Sequence, residues 1–302
     1  MALNTQIWTK EIQEKLYPEN TFYKYAKNHS AFVTNNIVHL PQAGDVATAL
    51  VNPAVPLTTP VKRTDTDLTY TLANIVSPQM YINYNEAIEF DYDMRASYIT
   101  DIVANLNTAV ADYVAYSWAN TAGTNIVRTS GATRSAYGTG QTGSRKKLVL
   151  ADLRQASRIM DNSNIPQEGR KLLVDGNLFS DLLEINEFKD SYFLVGRTVT
   201  DGVIGRVAGF DVIKRSNVVK YYAGSAFGKI PVGTAAAATD QLGAIAWHPN
   251  FVATAKSGLE LFGLDRKDPA YMQYVISALV RYGASKLRTS EAGVVTLVEA
   301  TA

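Results

Sequence analysis

The stretch NIPQEGRKLLVDGNLFSDLL, residues 164–183, has the outline of an enzyme's strand-turn-helix site. An apolar run (Leu172, Leu173, Val174) leads into a turn (Asp175, Gly176, Asn177) and then an apolar helix start. It carries no evident nucleophile, base or metal ligand, so the purpose of the turn has to be sought in its surroundings. Upstream, a helix fits residues 151–160. Downstream, Gly202, Gly205 and Gly209 punctuate short strands in DGVIGRVAGFDVI, and residues 273–282 and 293–298 supply apolar, β-branched runs.

At 302 residues the chain can bury a large core in one or two domains. It has no cysteine, which removes disulfides, thiolate nucleophiles and Cys-ligated zinc, and its three histidines (His29, His39, His248) are too scattered for a dedicated metal site. With 29 basic and 28 acidic residues it lacks the basic excess of a sequence-specific DNA binder. No apolar run reaches the length of a membrane span, and the acids in MALNTQIWTKEIQEKLYPEN break any export signal.

Near the N-terminus, Trp8, Ile12 and Leu16 share one helical face that ends near Pro18. So short a helix is marginal alone, and it docks either on its own body or on a neighbour. A strand is expected over residues 31–40. Residues 41–66 hold Pro41, Pro53, Pro56 and Pro60 with no helical period, after which Leu68, Tyr70 and Leu72 alternate with Thr69 and Thr71 in strand fashion. Residues 42–78 therefore read as an extended two-stranded tongue or a surface loop. As a tongue, its apolar residues would need a surface that only a neighbour offers.

Asp91 or Asp93 can cap a long helix running to residue 120, with Ile99, Val103, Leu106, Val110 and Tyr113 on its buried face. Some 28 residues would span about 40 Å. Residues 120–147 are rich in Gly, Ser and Thr and carry Arg128, Arg134, Arg145, Lys146 and Lys147 without one acid. This segment is either a solvated connection or a partner for carboxylates on another subunit.

Motifs for chemistry fail on context. GTGQTG (138–143) matches a dinucleotide pattern, but no strand feeds it, no helix receives it, and no P-loop lysine follows. GSAFG (224–228) has its serine in the wrong place for a nucleophile elbow. The pairs Asp91/Asp93 and Asp265/Asp268 read as caps and turn formers. Nothing points to an enzyme or to a cofactor.

In their order along the chain, NIPQEGRKLLVDGNLFSDLL, GVIGRVAGFDVIKRSNV, AIAWHPNFVATA and VRYGASKLRTSEAGVVTL give a sequence that resembles the major capsid proteins of tailed double-stranded DNA bacteriophages. The resemblance implies the α+β Hong Kong 97-type fold. Its parts would be an N-terminal arm (1–30), an extended loop (42–78), a peripheral domain built on the long helix (31–41, 79–167, 251–282) and an axial domain (168–250, 283–302). The turns at Pro166 and at Asp175-Gly176 would steer the chain from one domain into the other. It further implies self-assembly through hexamers and pentamers into an icosahedral head in the virion, built in the host cytoplasm with a separate scaffolding protein and a portal, and with room for a decoration protein. Double-stranded DNA would be enclosed without sequence-specific contact, and no membrane would be involved. Candidate subunit contacts are Trp8, Lys62, Arg63, Leu68, Tyr70, Leu72 and the five basic residues above. Some members of that family join subunits by lysine–asparagine cross-links with a nearby glutamate; Lys62 lies in the extended loop, but no asparagine or glutamate matches that pattern by position, and no cross-link is expected. The alternative reading is an encapsulin-type compartment around a cargo enzyme.

Overall fold

The computed structural model describes residues 20–44, 51–52, 62–83, 94–121, 123–138, 140–186, 203–224, 228–235, 237–266 and 272–302. The Trp8 stripe, Pro53, Pro56, Pro60, Asp91, Asp93 and Asp268 lie outside these residues.

The first half of the chain gives short strands β1 (Lys27–Asn28), β2 (Val33–Thr34), β3 (Ile37–Gln42), β4 (Thr66–Thr71), β5 (Ala73–Val76) and β6 (Met80–Asn83), then helix α1 (Met94–Trp118). After α1 come β7 (Ile126–Arg128), β8 (Thr133–Ser135) and β9 (Ser144–Lys146), then helix α2 (Leu150–Asn162), β10 (Lys171–Asp175) and the short helix α3 (Gly176–Leu182). The chain closes with β11 (Val203–Val207), β12 (Phe210–Arg215), β13 (Lys220–Tyr221), β14 (Gln241–Trp247), β15 (Val252–Arg266), β16 (Gln273–Lys286) and β17 (Val294–Val298).

A seven-stranded sheet runs β11-β12-β10-β14-β17-β7, with β13 beside β14. Its central strands are buried on both faces, and the pleat divides their side chains between two cores. Leu173, Ile213, Ile245 and Trp247 join α1 on one side; Leu172, Val174, Val212 and Ala246 join α2 and α3 on the other. The apolar run of the opening quotation is thus β10, filling both cores at once. Its closing Asp175 caps α3, accepting from Asn177 N and Nδ2.

The turn ahead of β10 is built around a residue with no signal in the sequence. Arg170 is 1 % exposed, and its guanidinium donates to Pro166 O (2.9 Å), Ile165 O (2.6 Å), Ser157 Oγ (3.0 Å) and Asp161 Oδ1 (2.6 Å). NIPQEGR is a loop wrapped on its own arginine, which ties it to the last turns of α2. The segment is architectural.

The second sheet holds β1, β15, β16, β5 and β6. Helix α1 lies on its long β15–β16 hairpin, burying Ile102, Leu106, Val110, Val114 and Trp118. The spacing is helical as expected, but the buried stripe is centred on Ile102 and Val114 beside Leu106 and Val110, with Ile99, Val103 and Tyr113 half-buried, and α1 spans about 37 Å. It ends two residues before the expected position, because Asn120 turns away to donate to Val294 O and to accept, through its own carbonyl, from Tyr221 Oη. Lys229 Nζ covers two carbonyls of that last turn, Tyr116 O (2.7 Å) and Ala119 O (2.9 Å).

Two expectations change. Residues 20–28, expected within an arm to neighbours, are seated on the chain itself. Phe22 is 1 % exposed and meets Trp118 and Trp247 edge to face at 5.9 and 6.3 Å, while Trp247 Nε1 donates to Tyr25 O. The domain change expected between Tyr282 and Gly283 falls inside β16, which continues to Lys286.

Candidate functional site

The candidate contact residues fall in two places. At the root of the tongue, β3 and β4 pair antiparallel, with Val38 opposite Tyr70 and Leu40 opposite Leu68. Tyr70 and Leu72 are buried with Val38, Ala253 and Ala255, and Leu68 is half-buried. They approach β16 so closely that a Cβ on Gly283 would lie 3.2 Å from both side chains. The expectation that only a neighbour could cover Tyr70 and Leu72 is therefore corrected: the chain's own β15 and β16 cover them. Burial pushes the Tyr70 phenol up to about 12, with the nearby Tyr282 adding to it. Arg63 pairs with Asp65 at 2.6 Å in an exposed position; that hydrogen bond, helped by Gly44 N, holds the Asp65 carboxyl below its ordinary range. Lys62 is exposed.

The basic segment also differs from expectation. β8 pairs antiparallel with β9, and the described residues of GTGQTG lie between the two strands: Ala136 N donates to Gly143 O, and β9 rather than a helix comes next. Arg134 is buried in a knot with two acids remote in sequence, donating to both oxygens of Asp181 (α3) and to Glu299 Oε1 at 2.6 Å beyond β17. Burial works against its charge, and the hydrogen bonds and charges of Asp181 and Glu299 outweigh it, keeping the guanidinium above its ordinary pKa. Arg145 caps Thr239 O and Asp240 O, and Arg128 bonds Gln241 and the Glu299 carbonyl. Lys147 Nζ meets both oxygens of Glu184 at 2.8 Å, a pair that raises its pKa. Lys146 lies in β9 opposite Thr133. The reading of Arg134 and Lys147 as seeking a neighbour's carboxylates is corrected, since α3, the residues after it and the C-terminal segment supply the acids. Trp8 is outside the described residues.

Asp181, Glu299 and Asp152 are the partners that sequence reasoning missed. Asp152 accepts from Ser130 N and Oγ and from Val149 N, so it fastens the basic segment to the start of α2. Single acids in apolar helices and at a strand end carry no pattern that names their partners. Among the described residues no cluster of His, Asp and Glu is placed to hold a metal.

No family model and no curated protein matches the sequence. The solved structures do. The capsid structure of cyanophage P-SCSP1u is 18% identical with TM-score 0.69, covering 99% of this chain and 94% of that one. A structure from Mycobacterium phage Che8 is 16% identical (TM-score 0.66, 98% and 97% covered), and the capsid of Ralstonia phage GP4 is 10% identical (TM-score 0.67, 99% and 96%). The chain has the α+β fold of phage capsid structures. The likeness runs over nearly the full length of each chain, so it takes in both sheets and α1.

Proposed function

We propose that the chain is the major capsid protein of a tailed double-stranded DNA phage, a structural subunit that self-assembles into an icosahedral head. The observation that carries this reading is the agreement of fold with phage capsids along almost the entire chain. A near-neutral chain suits a wall along which packaged DNA must slide, because a strongly basic wall would bind phosphate tightly. In this reading α1 and the β15–β16 hairpin form the peripheral domain, the seven-stranded sheet forms the axial domain, and of residues 42–78 the part between β3 and β4 extends over an adjacent subunit, while β4 and β5 stay on their own chain. Lys62, the tongue beyond its buried root and the exposed parts of the basic segment are the contacts with other copies. Hexamers and pentamers would close the shell in the virion, assembled in the host cytoplasm with a scaffold and a portal. No helix among the described residues is long and apolar enough to cross a membrane.

Sedimentation and electron microscopy of the purified chain, alone and with the phage's scaffolding protein, test the proposal. Capsomers or closed megadalton shells are expected. A chain that stays monomeric or dimeric under both conditions overturns the reading.

A further inference from the structure

Two surfaces of the chain are incomplete, and each has what the other lacks. The first is the outer half of the β15–β16 hairpin. Up to Ala255, β15 is buried, and it is flanked by β1 at Ala253 and Thr254. From Lys256 outward its only strand neighbour among the described residues is β16. There Leu259, Leu261 and Phe262 are 49%, 51% and 49% exposed, with exposed Glu260 among them. Strand alternation sets Leu259 and Leu261 on one face and Glu260 with Phe262 on the other, so each face of this outer edge carries exposed apolar surface for association.

The second is a cleft of about 540 Å³ beside the root of the tongue, walled by Leu40, Pro41, Phe251 and Leu287. Lys27 and Arg288 also line it, both exposed, neither with a side-chain partner among the described residues, and no carboxylate is part of the lining. The local field is positive: burial and then the charge of Lys27 hold His29 below its ordinary pKa, and burial with Arg170 and Lys27 does the same to His248.

We propose that the Leu259–Phe262 edge of one copy seats in the cleft of a second copy, the face that carries Phe262 and Glu260 turned inward, with Phe262 on the apolar walls and Glu260 between Lys27 and Arg288. The same copy cannot supply the contact. Glu260 is nine residues along a paired strand from Phe251, about 30 Å away at the rise of a β-strand. The contact joins different patches, so it propagates from copy to copy around a ring or lattice, as a shell requires. This inference rests on the proposed self-assembly.

The absence of cysteine makes the test clean, because any disulfide must use introduced residues. Full-length Glu260→Cys and Arg288→Cys proteins are assembled separately and as a mixture, then oxidised. A disulfide-linked dimer is expected from the mixture at many times the yield of either protein alone. In parallel, Glu260→Lys and the double variant Lys27→Glu, Arg288→Glu are each expected to lower particle yield about tenfold, and combining all three changes to restore most of it. Normal particles with no mixed disulfide, a dominant disulfide from Glu260→Cys alone, or no restoration by the charge swap each overturn the proposal while leaving self-assembly standing. If the unsubstituted chain forms no particles under any condition, both readings fall.

Discussion

The knot around Arg134 and the outer half of the β15–β16 hairpin place opposite kinds of side chain against expectation. In the knot, three charged groups with side chains at most 4% exposed are sealed inside the chain, and nearly every donor of the guanidinium has an oxygen to meet. In the hairpin, three large apolar side chains are half in water. Charge turned inward costs desolvation and is held only by geometry, whereas apolar surface turned outward wastes burial unless something covers it later. The knot thus fixes one chain, joining β8, α3 and the C-terminal segment. The exposed side chains of outer β15 contribute little to their own chain and are free to serve another, even though β16 beside them carries part of the core.

The knot is the place where a single change should cost most. Asp181→Ala removes the acceptor of Arg134 Nε and of Leu148 N, leaving a buried guanidinium with one carboxylate. A loss of about 3–5 kcal/mol in urea unfolding is expected, the cost of breaking rather than replacing a buried ion pair. Replacing Arg134, Asp181 and Glu299 together by apolar residues should cost much less. If Asp181→Ala unfolds within 1 kcal/mol of the parent, as order-of-magnitude bookkeeping goes, the knot does not hold those elements together.

The tongue root comes next. Leu72 is 4% exposed, and Leu72→Ala should cost about 2–4 kcal/mol. Gly283→Ala should cost about 1–3 kcal/mol, because a methyl group 3.2 Å from both Tyr70 and Leu72 overpacks that contact. A neutral result for both, with assembly lost, would return these residues to the surface contacts first expected of them.

The same contrast shows what could be read from the sequence. Helical spacing marked α1, and continuous apolar runs marked β10 and β17, because pleat and helix period are local properties of the chain. The order of the segments along the chain carried the resemblance, and with it the α+β fold class. What stayed hidden was long-range pairing: Arg134 meets acids 47 and 165 residues away, and charge alone does not say whether a run of arginines faces solvent or a fold's interior. Likewise Leu72 and Leu261 look equally apolar, yet one lies against β16 and the other has water on it. Phe22 was legible as a bulky residue but not as the centre of a tryptophan pair, since Trp118 and Trp247 come from elements that only the closed fold brings within 5.5 Å of each other.

Lys229 is a partly sealed charge and should show itself in pH dependence. Burial, with Lys286 nearby, lowers its pKa from 10.5 to about 8. The folded chain therefore releases this proton earlier than the unfolded chain, and between pH 8 and about 10 the unfolded state holds more protons. Stability should rise with pH across that window, by an amount on the order of 1–3 kcal/mol, and the neutral amine can still donate to Tyr116 O and Ala119 O. Above pH 10 the trend should reverse, because burial keeps Tyr70 and Tyr221 protonated in the fold after unfolded tyrosines have ionised. Comparing chemical unfolding at pH 8 and pH 9.5 with that of Lys229→Met isolates the effect. An equal slope in both proteins would mean that the lysine is not held at the end of α1.

The smallest effect on the chain itself is expected where apolar content is highest at the surface. Leu261→Ser with Phe262→Ser removes two large side chains from β15, a change that in a covered strand would cost several kcal/mol. Here each is already about half exposed, and the backbone pairing of Leu261 with Ala278 and of Phe262 with Ser277 survives the change. Serine also relieves the outward apolar edge, so the isolated chain should unfold within about 0.5 kcal/mol of the parent and show less nonspecific association. Assembly should respond in the opposite sense, with particle yield falling sharply at unchanged helix content. Should the double variant instead lose stability on the scale of Leu72→Ala, the hairpin's outer half is covered by its own chain in solution, and the contrast between an inward knot and an outward edge dissolves.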